Sequence, residues 1–372
     1  MIAVTREDQS PEQTIIADDG RVLLMSCQRF VDTICRGHNC FICGADPAEV
    51  PFNDEHIVPR WVLRRFDLFE KEITLPTGER RKYGGYRIPC CEACNKLLGE
   101  QVETPVSLLL KGTFSEVQAG LAEPRNRERL FIWLSLLFLK THLKDARVPV
   151  HKDRRLGHAV IGDQYEWSLL HHIHAVARSP YTGANLMPDV VGSLQVFEIA
   201  GSAAEERYDY VGFSNQQTLV VQIGAVGIVA VLTDCEAAQI AWSEKLAVVD
   251  RPISNLQLRE VGAMLACANA NLKVRPEFGT FFADRSWLFI FARKPPTFEM
   301  EPFDPEEFGH TLLFAVGTYV ESAALEIDGT SDPDLVASKI ATGYVRFLTD
   351  ENGKLRPALP RAGDAQQTTS DK

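Results

Sequence analysis

A chain of 372 residues that is 45% hydrophobic, 24% charged and 9% aromatic is too apolar to be disordered and too long for one ordinary core, which implies two or three soluble globular domains. A net charge of −11 excludes a protein that coats nucleic acid with its whole surface, but not one with a local basic patch. The longest apolar run, LFIWLSLLFL at 130–139, falls well short of the roughly 20 residues that span a bilayer. MIAVTREDQSPEQ lacks the basic and apolar regions of an export signal, so the expected compartment is the cytoplasm, with no membrane partner.

In chain order, the polar start is expected as a loose lead-in and RVLLMSCQRFVDTICR as a helix, together making a segment 1–37. CFICGADPAEVPFNDEHIVP, punctuated by Gly44, Pro47, Pro51 and Pro59, has to fold round turns. RWVLRRFDLF then has the spacing of a short amphipathic helix opened by Pro59, and TGERRKYGGYRIP reads as hairpin or loop. CEACNKLLGEQVETPVSLLLKG predicts a helix from about Asn95, kinked or broken at Pro105, and closes a module at 38–115.

A helical region over 116–192 follows, with helices predicted at 125–145 and 163–179. After Gly192 the texture changes. LQVFEI, YDYVGF, TLVVQI and GIVAVLT predict an antiparallel meander, LQLREVGAMLACANANL a helix, and SWLFIFAR and HTLLFAVGTYVESAAL two further strands. These elements make an α+β domain over 193–350, and 351–372 is predicted to be a disordered tail.

Nine cysteines are too few for a disulfide scaffold in a chain of this length, and five of them cluster. Cys27, Cys35, Cys235 and Cys267 read as small core residues. CFIC (Cys40, Cys43) and CEAC (Cys91, Cys94) are two C-x2-C knuckles. Four thiolates from two such knuckles form the tetrahedral set of a closed structural Zn2+ site. Cys90 offers a rival spacing to Cys94, but Cys91 keeps both pairs at x2.

Between the knuckles lies DEHIVP, and Asn95 follows the last cysteine. In this order the elements resemble the HNH endonuclease family, the ββα-metal nucleases with a zinc-stapled core, over about residues 38–105. The resemblance implies an N-terminal zinc-stapled ββα-metal module; with the elements predicted after it, the chain is expected to be α+β, the module followed by a helical segment and an α+β C-terminal domain carrying an antiparallel sheet. It implies His56 as general base, with Glu55 and Asn95 as ligands of a catalytic Mg2+ or Mn2+; alternation along a strand would instead turn Asp54 to the side of His56, which keeps Asp54 in reserve. It also implies a nucleic-acid substrate, double-stranded DNA foremost, with RNA as the other choice. One departure is that YGGYRIPC stands where the family often has an Asn that orients the base.

The chemistry is consistent with those residue types. A histidine with an ordinary pKa near 6.5 can take a proton from an attacking water at neutral pH. A hard divalent ion suits oxygen donors, and thiolates suit zinc, so the two metals separate by ligand type. Residues 56–96 carry nine basic against five acidic side chains, and Arg60, Arg64, Arg65 and Lys96 are candidates for phosphate contacts.

Two other readings follow from the same residues. One is a zinc-organised nucleic-acid-binding module without catalysis; the other is a defence-type effector nuclease gated by its C-terminal domain through a ligand or protein partner. HHIH (His171, His172, His174) lacks an accompanying Cys or carboxylate pattern and reads as core or surface histidines, and the five tryptophans read as core or interface anchors.

Overall fold

The computed structural model describes residues 13–358 apart from 76–77, 152, 154, 156, 202–206 and 284–286. The chain divides into two units, Met1–Val191 with Pro276–Lys294 and Gly192–Arg275 with Pro295–Lys372. The boundary falls where the texture changes at Gly192, but the expected divisions 38–115 and 116–192 share one unit. The hairpin of Glu277–Phe282 and Leu288–Arg293 returns to that first unit because Leu288–Arg293 pairs in parallel with Asn185–Leu186.

The first unit is built on the helix Pro124–Asp145, with Pro124 at its first turn. Residues 130–140 are buried without a break, so this part of the helix is enclosed on all sides and serves as an internal post, with Lys140 as a buried charge at its end. His142 lies on it, 5% exposed, with Nδ1 2.7 Å from the Phe138 carbonyl and its ring against Phe138 and Tyr165. Burial lowers its pKa to about 4, the Phe138 contact pulling the other way.

A histidine kept neutral by folding gives stability that is present above its unfolded pKa near 6.5 and lost as pH falls towards the folded value. His142→Gln should therefore flatten the acid limb of a urea-stability against pH profile, by about 2 kcal/mol at pH 5. An unchanged acid limb would contradict this.

At the N-terminus the predicted helix is only partly present. Val22–Leu24 pairs with Ile15–Ile16 as a small hairpin, and helical turns begin at Cys27–Arg29 and Phe30–Cys35. The turn that closes the hairpin, with Gly20 at φ 84°, drew the apolar residues 22–24 into a strand.

The two strands that carry the candidate site are Phe52–His56 and Arg87–Cys91, antiparallel, with Phe52 opposite Cys91, Glu55 opposite Ile88 and His56 opposite Arg87. The helix Glu92–Leu98 follows the second strand directly. Arg60–Arg65 is the predicted amphipathic helix, with Pro59 at its cap. After Leu98 the chain widens into a π turn, Gly99–Glu103, before Thr104–Leu109. Pro105 has no N–H and its ring crowds the carbonyl one turn back, so a wider turn relieves the clash without ending the helix.

In the second unit a four-stranded antiparallel sheet runs Leu194–Glu198, Val226–Val231, Thr218–Ile223, Tyr208–Phe213. Three strands meander as expected, while the first lies beside the last rather than the second. Asn255–Ala270 covers the sheet and is buried almost throughout. Gly262 permits that approach: a Cβ there would stand 2.2 Å from Val220 Cγ2.

HTLLFAVGTYVESAAL, expected as a strand, belongs to the helix Pro305–Glu321, capped by Asp304. Its buried positions, Phe308, Leu312, Ala315, Val316, Tyr319 and Val320, recur at helical spacing that the unbroken apolar run 312–316 concealed. The expected tail begins later than residue 351, since Leu355 is buried and bridges Thr349. Residues 359–372 lie outside the described residues.

Candidate metal centre and the adjoining strand site

The first knuckle is a tight turn. The Gly44 N–H donates to the Cys40 carbonyl at 2.8 Å, Cys40 N–H to the Ala45 carbonyl at 2.9 Å, and Ala45 N–H to Cys43 Sγ at 3.4 Å. Gly44 has φ 77°, a left-handed conformation that favours glycine; the nearest atom to a Cβ there, Met25 Cε at 2.7 Å, ends a flexible side chain that can move aside. In the second knuckle Cys91 caps the helix Glu92–Leu98, its Sγ accepting the Cys94 N–H at 3.5 Å.

These two turns bring Cys40, Cys43, Cys91 and Cys94 together, with all four Sγ atoms within 4.8 Å of one another. Soft thiolates at that spacing can hold a metal ion such as zinc. Cys90, fully buried, stands outside the group with its Sγ 3.8 Å from that of Cys40. The Cys40 thiol is driven down by hydrogen bonds from Cys43, Cys90 and Cys94, and the Cys90 thiol is driven up by that same bond and by burial. Either sulfur can donate in the free thiols; with Cys40 bound to a metal as thiolate it can only accept, and the S–H of Cys90 becomes the donor.

The centre has two further supports that the sequence did not reveal. His174, stacked on Phe30, places Nε2 2.9 Å from the carbonyl of Phe41 inside the first knuckle. Arg178, 2% exposed, donates to the Val22 carbonyl. Burial lowers its pKa to about 10, with Tyr181 and the thiols of Cys43, Cys94 and Cys40 pulling the other way, so its guanidinium lies within electrostatic reach of the cysteine cluster. The other two histidines of HHIH are also structural, His171 against the Met25 carbonyl at 2.7 Å and His172 stacked on Phe278.

On the neighbouring strand, alternation sends Asp54 and His56 to one face and Asn53 and Glu55 to the other. His56 ends the strand, 7% exposed, its ring edge-on to Phe69 at 6.0 Å. Its Nε2 is covered and has no hydrogen-bond partner among the described residues. Burial lowers its pKa, with Arg87, Arg60 and Lys140 adding to the shift and Glu55 opposing it, so the ring is neutral at neutral pH. Among the described residues no asparagine is hydrogen-bonded to the ring, whose aromatic neighbour is Phe69.

Glu55 faces the interior. Its Oε1 lies 2.7 Å from Lys140 Nζ, which also reaches the His56 carbonyl at 2.9 Å and Glu103 at 3.6 Å. Lys140 is 2% exposed, and against the pull of burial the two glutamates raise its pKa. This arrangement does not fit a hard divalent ion on Glu55, because a buried ammonium already holds that carboxylate. Asp54 differs: its side chain is 62% exposed, with only a 3.8 Å contact to Arg87. Asn95 donates Nδ2 to Asn53 Oδ1 at 2.7 Å, which leaves its carbonyl oxygen as the atom able to ligate.

Of the basic candidates, Arg60 and Arg64 are exposed, Lys96 lies 3.9 Å from Glu100 on the surface, and Arg65 donates to the Leu110 carbonyl at 2.7 Å. Arg65 thus fastens its helix to the segment ending at Leu110. Among the described residues no helix is long and apolar enough to cross a membrane. No family model, no curated protein and no solved structure matches the chain.

Proposed function

We propose that residues 38–115 form an HNH-type module, stapled by a structural Zn2+ on Cys40, Cys43, Cys91 and Cys94, that hydrolyses phosphodiester bonds in nucleic acid, DNA foremost, with His56 as general base. The observation that carries this reading is the succession of a strand ending in His56, an antiparallel strand entering Cys91 and a helix starting at Glu92, beside four convergent thiols. A neutral histidine with an unpartnered Nε2 has the protonation state a base requires. Arg60 and Arg64 would hold phosphate oxygens. A Mg2+ or Mn2+ ion belongs to the proposal through Asp54, the carboxylate that shares His56's face, and when bound it would stabilise the leaving oxygen; Asn95, tied to Asn53 on the other face, is not placed beside it.

A second reading, binding of nucleic acid without cleavage, is favoured by two observations: Lys140 occupies Glu55, and Phe69 covers His56. A plasmid-nicking assay with Mg2+ or Mn2+ separates the two. Hydrolysis predicts nicking by the wild type and at least a hundredfold loss in His56→Ala, with zinc content unchanged. Retention of duplex DNA in a filter assay with no nicking under any divalent ion would instead establish the binding reading.

A further inference from the structure

The second unit contains a cavity of about 740 Å3, within the range of small-molecule and cofactor sites. All its lining residues belong to that unit. Its floor is polar and locked. Asn255 donates to Gln222 Oε1 at 2.7 Å and to Asp209 Oδ2 at 2.9 Å, and accepts the Tyr319 hydroxyl at 2.7 Å. Asp209 is held in turn by two nitrogens of Arg259, at 2.7 and 3.0 Å. A floor whose hydrogen bonds are already satisfied is preorganised, so a ligand entering the cavity is not paid for by ordering it.

The wall has two properties that specify the occupant. Its described residues include Arg207, Lys339, Arg346 and Arg356 against Glu326 and Asp328, and one of these acids, Asp328, is already paired with Lys339 at 2.9 Å. This excess of cations lies in an acidic protein; Arg346 is engaged with the Gly343 and Val345 carbonyls and the Phe308 ring, whereas among the described residues the Arg356 guanidinium uses its Nε alone, on the Thr349 carbonyl at 2.9 Å. The second property is Tyr344, which lines the cavity and is nevertheless 78% exposed. It follows Gly343, whose φ of 75° and lack of room for a Cβ, 1.6 Å from the Pro305 carbonyl oxygen, fix the loop that presents the ring. An exposed ring carried on a constrained backbone beside a cation-lined cavity can act as a stacking platform.

We propose that this cavity binds a nucleotide, with the base on Tyr344 and the phosphates towards Arg356. The proposal is independent of the nuclease reading. Isothermal titration of the full chain with ATP, GTP, AMP and inorganic pyrophosphate tests it. At least one nucleotide should bind saturably, with Tyr344→Ala weakening it about tenfold and Arg356→Gln weakening triphosphate more than monophosphate. Both side chains are exposed, so both variants should retain the wild-type melting temperature, which is checked in parallel. The proposal is overturned if no nucleotide binds at millimolar concentration, if pyrophosphate binds as tightly as ATP and Tyr344→Ala changes nothing, or if neither substitution alters nucleotide binding.

Discussion

Stripping the metal with a strong chelator is expected to unfold the first unit around residues 38–115, with loss of helical circular dichroism and rapid proteolysis there. Structural zinc contributes an apparent binding free energy of about 10–16 kcal/mol at neutral pH, more than the whole stability of an ordinary domain. The hairpin and helix at the centre are short: five, five and seven residues. Their thiols alone would repel one another once ionised. Metal analysis should give one zinc per chain, lost in Cys91→Ala and Cys94→Ala.

Cys90→Ala is the discriminating variant. It should keep the stoichiometry of one but bind zinc about tenfold to a hundredfold more weakly, because the S–H that supports Cys40 is removed. If Cys90→Ala lost the metal and Cys91→Ala retained it, the ligand set would be misassigned.

The four-cysteine cluster was legible because its determinants are local. C-x2-C spacing fixes two ligands on one turn, and the pairing of Phe52 with Cys91 brings the knuckles together. The supports were not legible. Lys140 reaches Glu55 from 85 positions away and His174 reaches Phe41 from 133, and no spacing rule relates residues so far apart in sequence. A hint did exist in KTHLKD: a lysine closing a ten-residue apolar run on a helix must find a buried carboxylate or leave its ammonium unpaired.

The fold divides in the same way. Strands rich in Val and Ile between Gly and Asn, and the long apolar helix, were readable from local pattern. The helix Pro305–Glu321 was not, because continuous apolar residues fit a buried strand as well as a helix face. Asp304 before Pro305, a cap followed by a first-turn proline, was the signal that decides between them. EFGTFF, missed as a strand, is amphipathic and only half-buried, and it takes its conformation from its partner Leu288–Arg293.

Lys140→Met should be among the most destabilising single substitutions in the first unit. It leaves Glu55 buried and facing Glu103 with no cation between them, and the His56 carbonyl loses its donor. Breaking a buried pair from one side costs about 3–5 kcal/mol. The pH dependence has a definite sign. Glu103 is pushed up to about 7, chiefly by burial and also by Glu55, while Lys140 pulls the other way. A carboxyl raised by folding favours the folded state at low pH and loses that contribution as pH rises through its folded value. With the ammonium gone the upward shift grows, so the deficit of Lys140→Met should be deepest above pH 7 and shrink towards pH 5. Adding Glu55→Gln and Glu103→Gln to Lys140→Met should recover most of the loss, since an uncharged set has nothing left unpaired. Urea unfolding at pH 5 and pH 8 checks both expectations. A deficit independent of pH, or a triple variant no more stable than the single, would mean that Lys140 acts through packing and not through charge.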